Sequence, residues 1–144
     1  MSKPHSHSGA RGALLGAVLA LSAAIGAAGA HETVKPLFQQ ALPNVPGKTF
    51  TTVIVDFPPG VEAVPHRHGD AFVYAYVLSG VVRSQLEGEP VKTYQAGQFW
   101  SEPPGAHHLA TVNASATAPA RLLVTFVADT GVALKVDDAP AAAH

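Results

Sequence analysis

Four histidines of this chain stand in two pairs, His66 with His68 and His107 with His108. A His-x-His on an extended strand sends both imidazoles to one face, because side chains alternate with a period of two. Two neutral imidazoles a few ångströms apart suit a divalent first-row ion. A third donor has to come from a neighbouring strand. The block Pro103-Pro104-Gly105-Ala106-His107-His108 supplies one directly after a tight turn. Taken alone, His66-x-His68 reads equally well as two exposed surface histidines. The second pair, in its proline and glycine setting, turns the reading towards a metal site.

Composition narrows what else the chain can be. Its 144 residues are one domain's worth. There are no cysteines, so disulfides, thiolate metal sites and a thiol nucleophile are excluded. A formal net charge of −1 argues against a broad grip on nucleic acid. Thirteen glycines and twelve prolines point to many short strands rather than a helical bundle.

Residues 1–30 are of a different material. Lys3 and Arg11 precede an uncharged apolar run that ends in Ala28-Gly29-Ala30, the pattern of a secretory signal peptide. An uncleaved membrane anchor is the competing reading, but the Ala and Gly content makes the run weakly hydrophobic. The expectation is an exported protein, periplasmic or secreted, with no stable membrane association after cleavage.

The histidines must be held by strands. Residues 31–47 contain three prolines and read as an arm that pairs along an edge. Residues 48–57 are β-branched and closed by Pro58-Pro59-Gly60. Further strands are expected at 61–68, 71–78, 81–87, 91–94, 98–101, 107–112 and 121–128, with a last edge at 132–136. Gly or Pro fills most of the gaps. Residues 114–120 read as a loop and 137–144 as a disordered tail. The expectation is an all-β domain over 48–136, a small sandwich or jelly-roll barrel.

The spacing of these residues resembles that of a small single-domain cupin. The first family motif is a glycine, five residues, His-x-His, a glutamate and a closing glycine; here stand Gly60, His66, His68 and Gly80. The second is a glycine, five residues, Pro-x-Gly, two residues, a histidine and an asparagine; here stand Gly97, Pro103, Gly105 and His108. The resemblance covers about residues 48–128. It implies a double-stranded jelly-roll barrel with one divalent metal ion inside, held by His66, His68 and His108. Iron, manganese, copper, nickel and zinc all fit such a site.

Two positions depart from the family. The glutamate should lie seven residues before Gly80, where this chain has Val73, and the asparagine falls one residue late, at Asn113. A three-histidine site follows, leaving the ion its full double charge and attracting an anionic, chelating substrate. Asp70 could reach inward under a different strand register, and His107 could stand in for His108 if the turn shifts by one. No general base is placed firmly. Glu102, beside Pro103, reads as a turn residue rather than a base.

Other residues carry weaker expectations. Val73, Ala75 and Val77 share one strand face, and small Ala75 with apolar Val73 and Val77 leaves room for substrate. Phe72, Tyr74, Tyr76 and Leu78 share the other, which suggests either a homodimer interface or packing under the N-terminal arm. Arg83 and Gln85 share a face that could bind an anion, although exposed polar strand residues are commoner. Trp100 is a core residue by default and a pocket wall by alternative. Two functions of different class follow. One is a dioxygenase-like oxidoreductase that acts on a small enol, diketone or carboxylate. The other is an exported cupin that binds a metal or small ligand without turnover.

Overall fold

The computed structural model describes residues 29–142. The expected signal segment lies outside them except for Gly29 and Ala30, as do the last two residues of the expected tail. Ten strands form in chain order: β1 Thr33–Ala41, β2 Lys48–Phe57, β3 His66–Arg67, β4 Phe72–Ser79, β5 Val81–Leu86, β6 Lys92–Gln95, β7 Phe99–Glu102, β8 His107–Asn113, β9 Ala120–Asp129 and β10 Val136–Asp137. Two antiparallel five-stranded sheets result, in the orders β1-β2-β9-β4-β7 and β10-β3-β8-β5-β6. They face each other as a jelly-roll.

Alternation on the strands builds the core. Val53 and Phe57 of β2, Val73, Ala75 and Val77 of β4, Trp100 of β7 and Leu122, Val124, Phe126 and Ala128 of β9 all point inward. Val82 comes from the facing sheet. The last residue of β8, Asn113, closes one end. Its buried side-chain amide faces the carbonyls of Phe57, Pro58 and Ala118 and accepts the Ser115 N–H, tying residues 114–118 to the end of β2.

Three local expectations need correction, one being the last edge at 132–136, of which only Val136 joins a strand. The strand expected at 61–68 shrinks to His66–Arg67, preceded by one isolated bridge between Glu62 and Val112. Pro65 has no N–H for a ladder and stands just before the histidine. The tail expected from 137 is anchored at its start: β10 pairs with β3, and the Asp138 N–H donates to the Pro65 carbonyl at 2.8 Å. The arm at 31–47 contributes β1, which runs along the edge of β2 with a register shift between Pro36 and Phe38.

Candidate metal centre

His66 of β3 and His108 of β8 are direct cross-strand partners. His68 stands two residues after His66, so the alternation returns its ring to the same face. His108 needs a further device. In a regular strand it could not share a face with Thr111 and Asn113, which lie an odd number of positions away. A bulge in β8 opposite Gln85 and Leu86 adds one residue and reverses the parity. All three side chains are therefore buried inside. The His66 ring lies 4.8 Å from that of His68 and 5.1 Å from that of His108, centroid to centroid. One nitrogen of each of the three rings lies within 4.8 Å of the others.

The remaining nitrogens are already engaged. His66 Nδ1–H donates to the Val64 carbonyl and His68 Nδ1–H to that of Leu134. That leaves both Nε2 atoms free towards the interior. His108 is turned the other way: its Nε2 is hydrogen-bonded by the hydroxyls of Ser84 and Thr111 at 2.8 and 2.9 Å. Its Nδ1 is buried without a hydrogen bond. Such outer hydrogen bonds fix ring orientation in metal-binding histidines.

Glu102, read from the sequence as a turn residue, lies at the end of β7 with only 2% of its surface exposed. It shares the inward face with Trp100, whose Nε1–H donates to Oε1 at 3.0 Å. Oε1 is 2.9 Å from His108 Nδ1, yet the angles are not those of a hydrogen bond. Oε2 is 3.6 Å from His68 Nε2 and has no hydrogen-bond partner. The expected strand at 98–101 stopped one residue short. Extended by one, it puts Glu102 on the face of Trp100 by alternation alone, and this is the signal that would have found it.

Burial sets the charge states. It lowers the His66 pKa to about 4 and pushes His68 down as well, so both rings are neutral near pH 7. Burial alone would raise the Glu102 carboxyl. The adjacent His108 ring and the Trp100 N–H outweigh it and hold the group below its ordinary value, as a carboxylate.

The donors open into a cavity of about 170 Å³. Val53, Val55, Ala75, Leu122, Val124 and Phe126 make its walls mostly apolar. Trp100 also lines it while remaining part of the buried core. Glu32 and Lys135 line it too, and are paired at 3.2 Å.

The other expected site residues stand elsewhere. Asp70 is exposed in the turn before β4 and does not reach the histidines. His107, one step along β8, points to the opposite face. It bonds Asp138 Oδ2 through Nε2 at 2.7 Å and lies 3.6 Å from Glu87. Val73 is buried in the core rather than lining the cavity. Arg83 is exposed, and Gln85 donates to the Glu89 carbonyl, both away from the cavity. Polar residues of β5 at odd positions face out, while Val82 and Ser84 face in.

Comparison with known proteins agrees with the fold. The family model for the Cupin domain matches residues 53–126, half of the chain. Among solved structures, an uncharacterized conserved protein with a double-stranded beta-helix domain from Klebsiella pneumoniae superposes with a TM-score of 0.59 at 18% identity. That match covers 76% of this chain and 86% of that one. The Cnp3 cupin domain of Schizosaccharomyces pombe gives 0.57 at 19% identity, over 69% and 62%. The DMSP lyase DddQ from Ruegeria pomeroyi gives 0.56 at 26% identity, over 65% and 45%. This chain thus spans less than two thirds of the last two. No curated protein matches the sequence. The family match, the jelly-roll and the three inward histidines agree: the chain belongs to the cupin family.

Proposed function

We propose that this cupin is a metal-dependent oxidoreductase that acts with dioxygen on a small chelating anion, an enol, diketone or carboxylate. His66, His68 and His108 would hold one divalent ion. The observation that carries the reading is that their free nitrogens converge on the floor of the cavity, where two buried polar atoms, His108 Nδ1 and Glu102 Oε2, have no hydrogen-bond partner. Buried polar atoms left unsatisfied are uncommon, and an ion is one of the few things that satisfies several at once. When bound, a redox-active ion supplies Lewis acidity to a substrate's oxygens and electron transfer to dioxygen.

This chain's own residues do the rest. Val53, Val124 and Phe126 exclude water and set the size limit. A cavity of ~150 Å³ holds a benzene-sized molecule, so the substrate has few heavy atoms. Lys135 is the cation among the lining residues; it is held by Asp137 at 2.7 Å and Glu32 at 3.2 Å, and the longer contact is the one an anion would replace. The lyase relative supports a catalytic use of this barrel. The reading also includes export directed by residues 1–30 and a dimer through the outer face of the first sheet. On that face Phe72 and Phe99 are exposed and Tyr74 packs against Phe99 at 5.3 Å.

The test is oxygen uptake with a panel of small enols and diketones. Consumption matched to substrate loss, abolished by chelation and by His66→Ala, is expected. Tight binding of these compounds with no oxygen use and no product would overturn the enzyme reading in favour of a binding protein.

A further inference from the structure

The motif position that carries a carboxylate in the family holds Val73 here, and Val73 is paired in register with Glu102 across β4 and β7. We propose that Glu102 is the fourth protein donor of the site, delivered from the adjacent strand. The inference rests on the metal-binding reading above and deepens it. Directly paired residues of an antiparallel ladder point to the same face, with Cβ atoms about 5 Å apart. A carboxylate moved from position 73 to position 102 therefore still faces the interior. Ala75, paired with Trp100, leaves space on that face for the indole that steadies it.

Four atoms of the site lack engagement elsewhere: His66 Nε2, His68 Nε2, His108 Nδ1 and Glu102 Oε2. The two carboxylate oxygens reach different rings: Oε1, which also accepts the Trp100 N–H, lies 2.9 Å from His108 Nδ1, and the unpartnered Oε2 lies 3.6 Å from His68 Nε2. The shorter contact lacks hydrogen-bond geometry. The longer contact, from the free Oε2, is close to the spacing of roughly 3.4 Å between donors on a tetrahedral ion with bonds of about 2.1 Å. His108 Nε2 is held by Ser84 and Thr111, so Nδ1 is the nitrogen that ring has to offer. The full double charge expected for three imidazoles is then reduced by one. A hard oxygen donor beside the imidazoles favours ions that accept mixed nitrogen and oxygen ligands, such as manganese and iron.

The experiment uses the full chain with Mn(II) and Co(II) as probes. Expected are one equivalent bound by the wild type and a Kd raised about 100-fold in Glu102→Gln. The Co(II) visible bands should shift in that variant. The double variant Val73→Glu/Glu102→Val, which returns the carboxylate to β4, should recover at least about tenfold of the affinity lost in Glu102→Val. A measurement on the wild type alone guards against misfolded variants: addition of metal should shift one carboxylate stretch in the infrared difference spectrum. An unchanged Kd and Co(II) spectrum in folded Glu102→Gln overturns the proposal and leaves a three-histidine site standing. So does an infrared spectrum without a carboxylate shift while metal binds. Failure of the wild type to take up either ion overturns the metal reading itself.

Discussion

Val73 and Glu102 are register partners across β4 and β7, one apolar and one acidic, both buried on the inward face. The carboxylate that the first motif lacks is thereby present one strand away, against His108 and His68. Position along the chain and position in the site have come apart, while the barrel's ladder keeps the donor facing the interior.

Trp100 holds that carboxylate. Trp100→Phe removes the donor to Oε1, leaving a buried charged group one hydrogen bond short, and also loosens the packing against Tyr94 at 4.9 Å. The expected loss is about 2–4 kcal/mol, read from the urea midpoint. Metal affinity should weaken about tenfold. An unchanged midpoint would show that the bond contributes nothing.

The two glycines that frame the first motif are not equivalent. A Cβ on Gly80 would lie 2.7 Å from the Pro119 carbonyl oxygen and 2.8 Å from Ala120 Cα, with φ at +81°. On Gly60, with φ at +69°, it would meet open space. Gly60→Ala should cost about 1–2 kcal/mol for the left-handed backbone alone. Gly80→Ala adds a clash with backbone that cannot easily move, and should cost about 3 kcal/mol or more. Equal losses in chemical denaturation would refute this ordering.

Much of the fold was legible because alternation and turn residues are local signals. The strand at 48–57 matches β2 in full, and His66, His68 and His108 meet as their spacing implies. The misses have non-local causes. Pro65 broke the expected 61–68 strand, and the pairing of β10 with β3 ordered the start of the tail. Glu102 was hidden by its neighbour Pro103, which suggested a turn where β7 had one inward position left. As donors, Asp70 needs a different strand register and His107 a turn shifted by one, and neither shift occurs. The turn at 69–70 and the odd step along β8 carry them outside.

His107 has a different task. Its bond to Asp138 fastens the C-terminal segment whose Leu134 carbonyl orients His68 and whose Lys135 lines the cavity. Asp138→Ala should leave the barrel folded, with a loss of about 1 kcal/mol. It should also weaken metal binding several-fold through a less constrained His68. Amide exchange across 132–138 should accelerate. Wild-type exchange in this segment would rule out the tether.

Acid should destabilise the metal-free protein through the same residues. Burial lowers the His66 pKa to about 4, and His68 shifts the same way. Between about pH 6.5 and about 4 the unfolded chain therefore binds more protons. Stability must fall as pH drops through that window, by at most about 1.4 kcal/mol per pH unit for each histidine. The Glu102 carboxyl, held below its ordinary value, adds to the loss at still lower pH. His66→Gln should flatten the Tm profile between pH 7 and 5. A wild-type profile that is already flat would contradict these charge states.

Bound metal is the property on which the chemistry of His66, His68 and His108 depends. Elemental analysis of natively produced protein, beside a His66→Ala/His68→Ala double variant, tests it most directly. Intrinsic fluorescence follows uptake, since Trp100 is the one tryptophan in the sequence. The expected result is close to one equivalent of a redox-active divalent ion in the native protein and none in the variant, with Trp100 emission quenched on reloading. Metal absent from both, and no uptake of manganese, iron, cobalt, nickel, copper or zinc on exposure, would contradict the central claim.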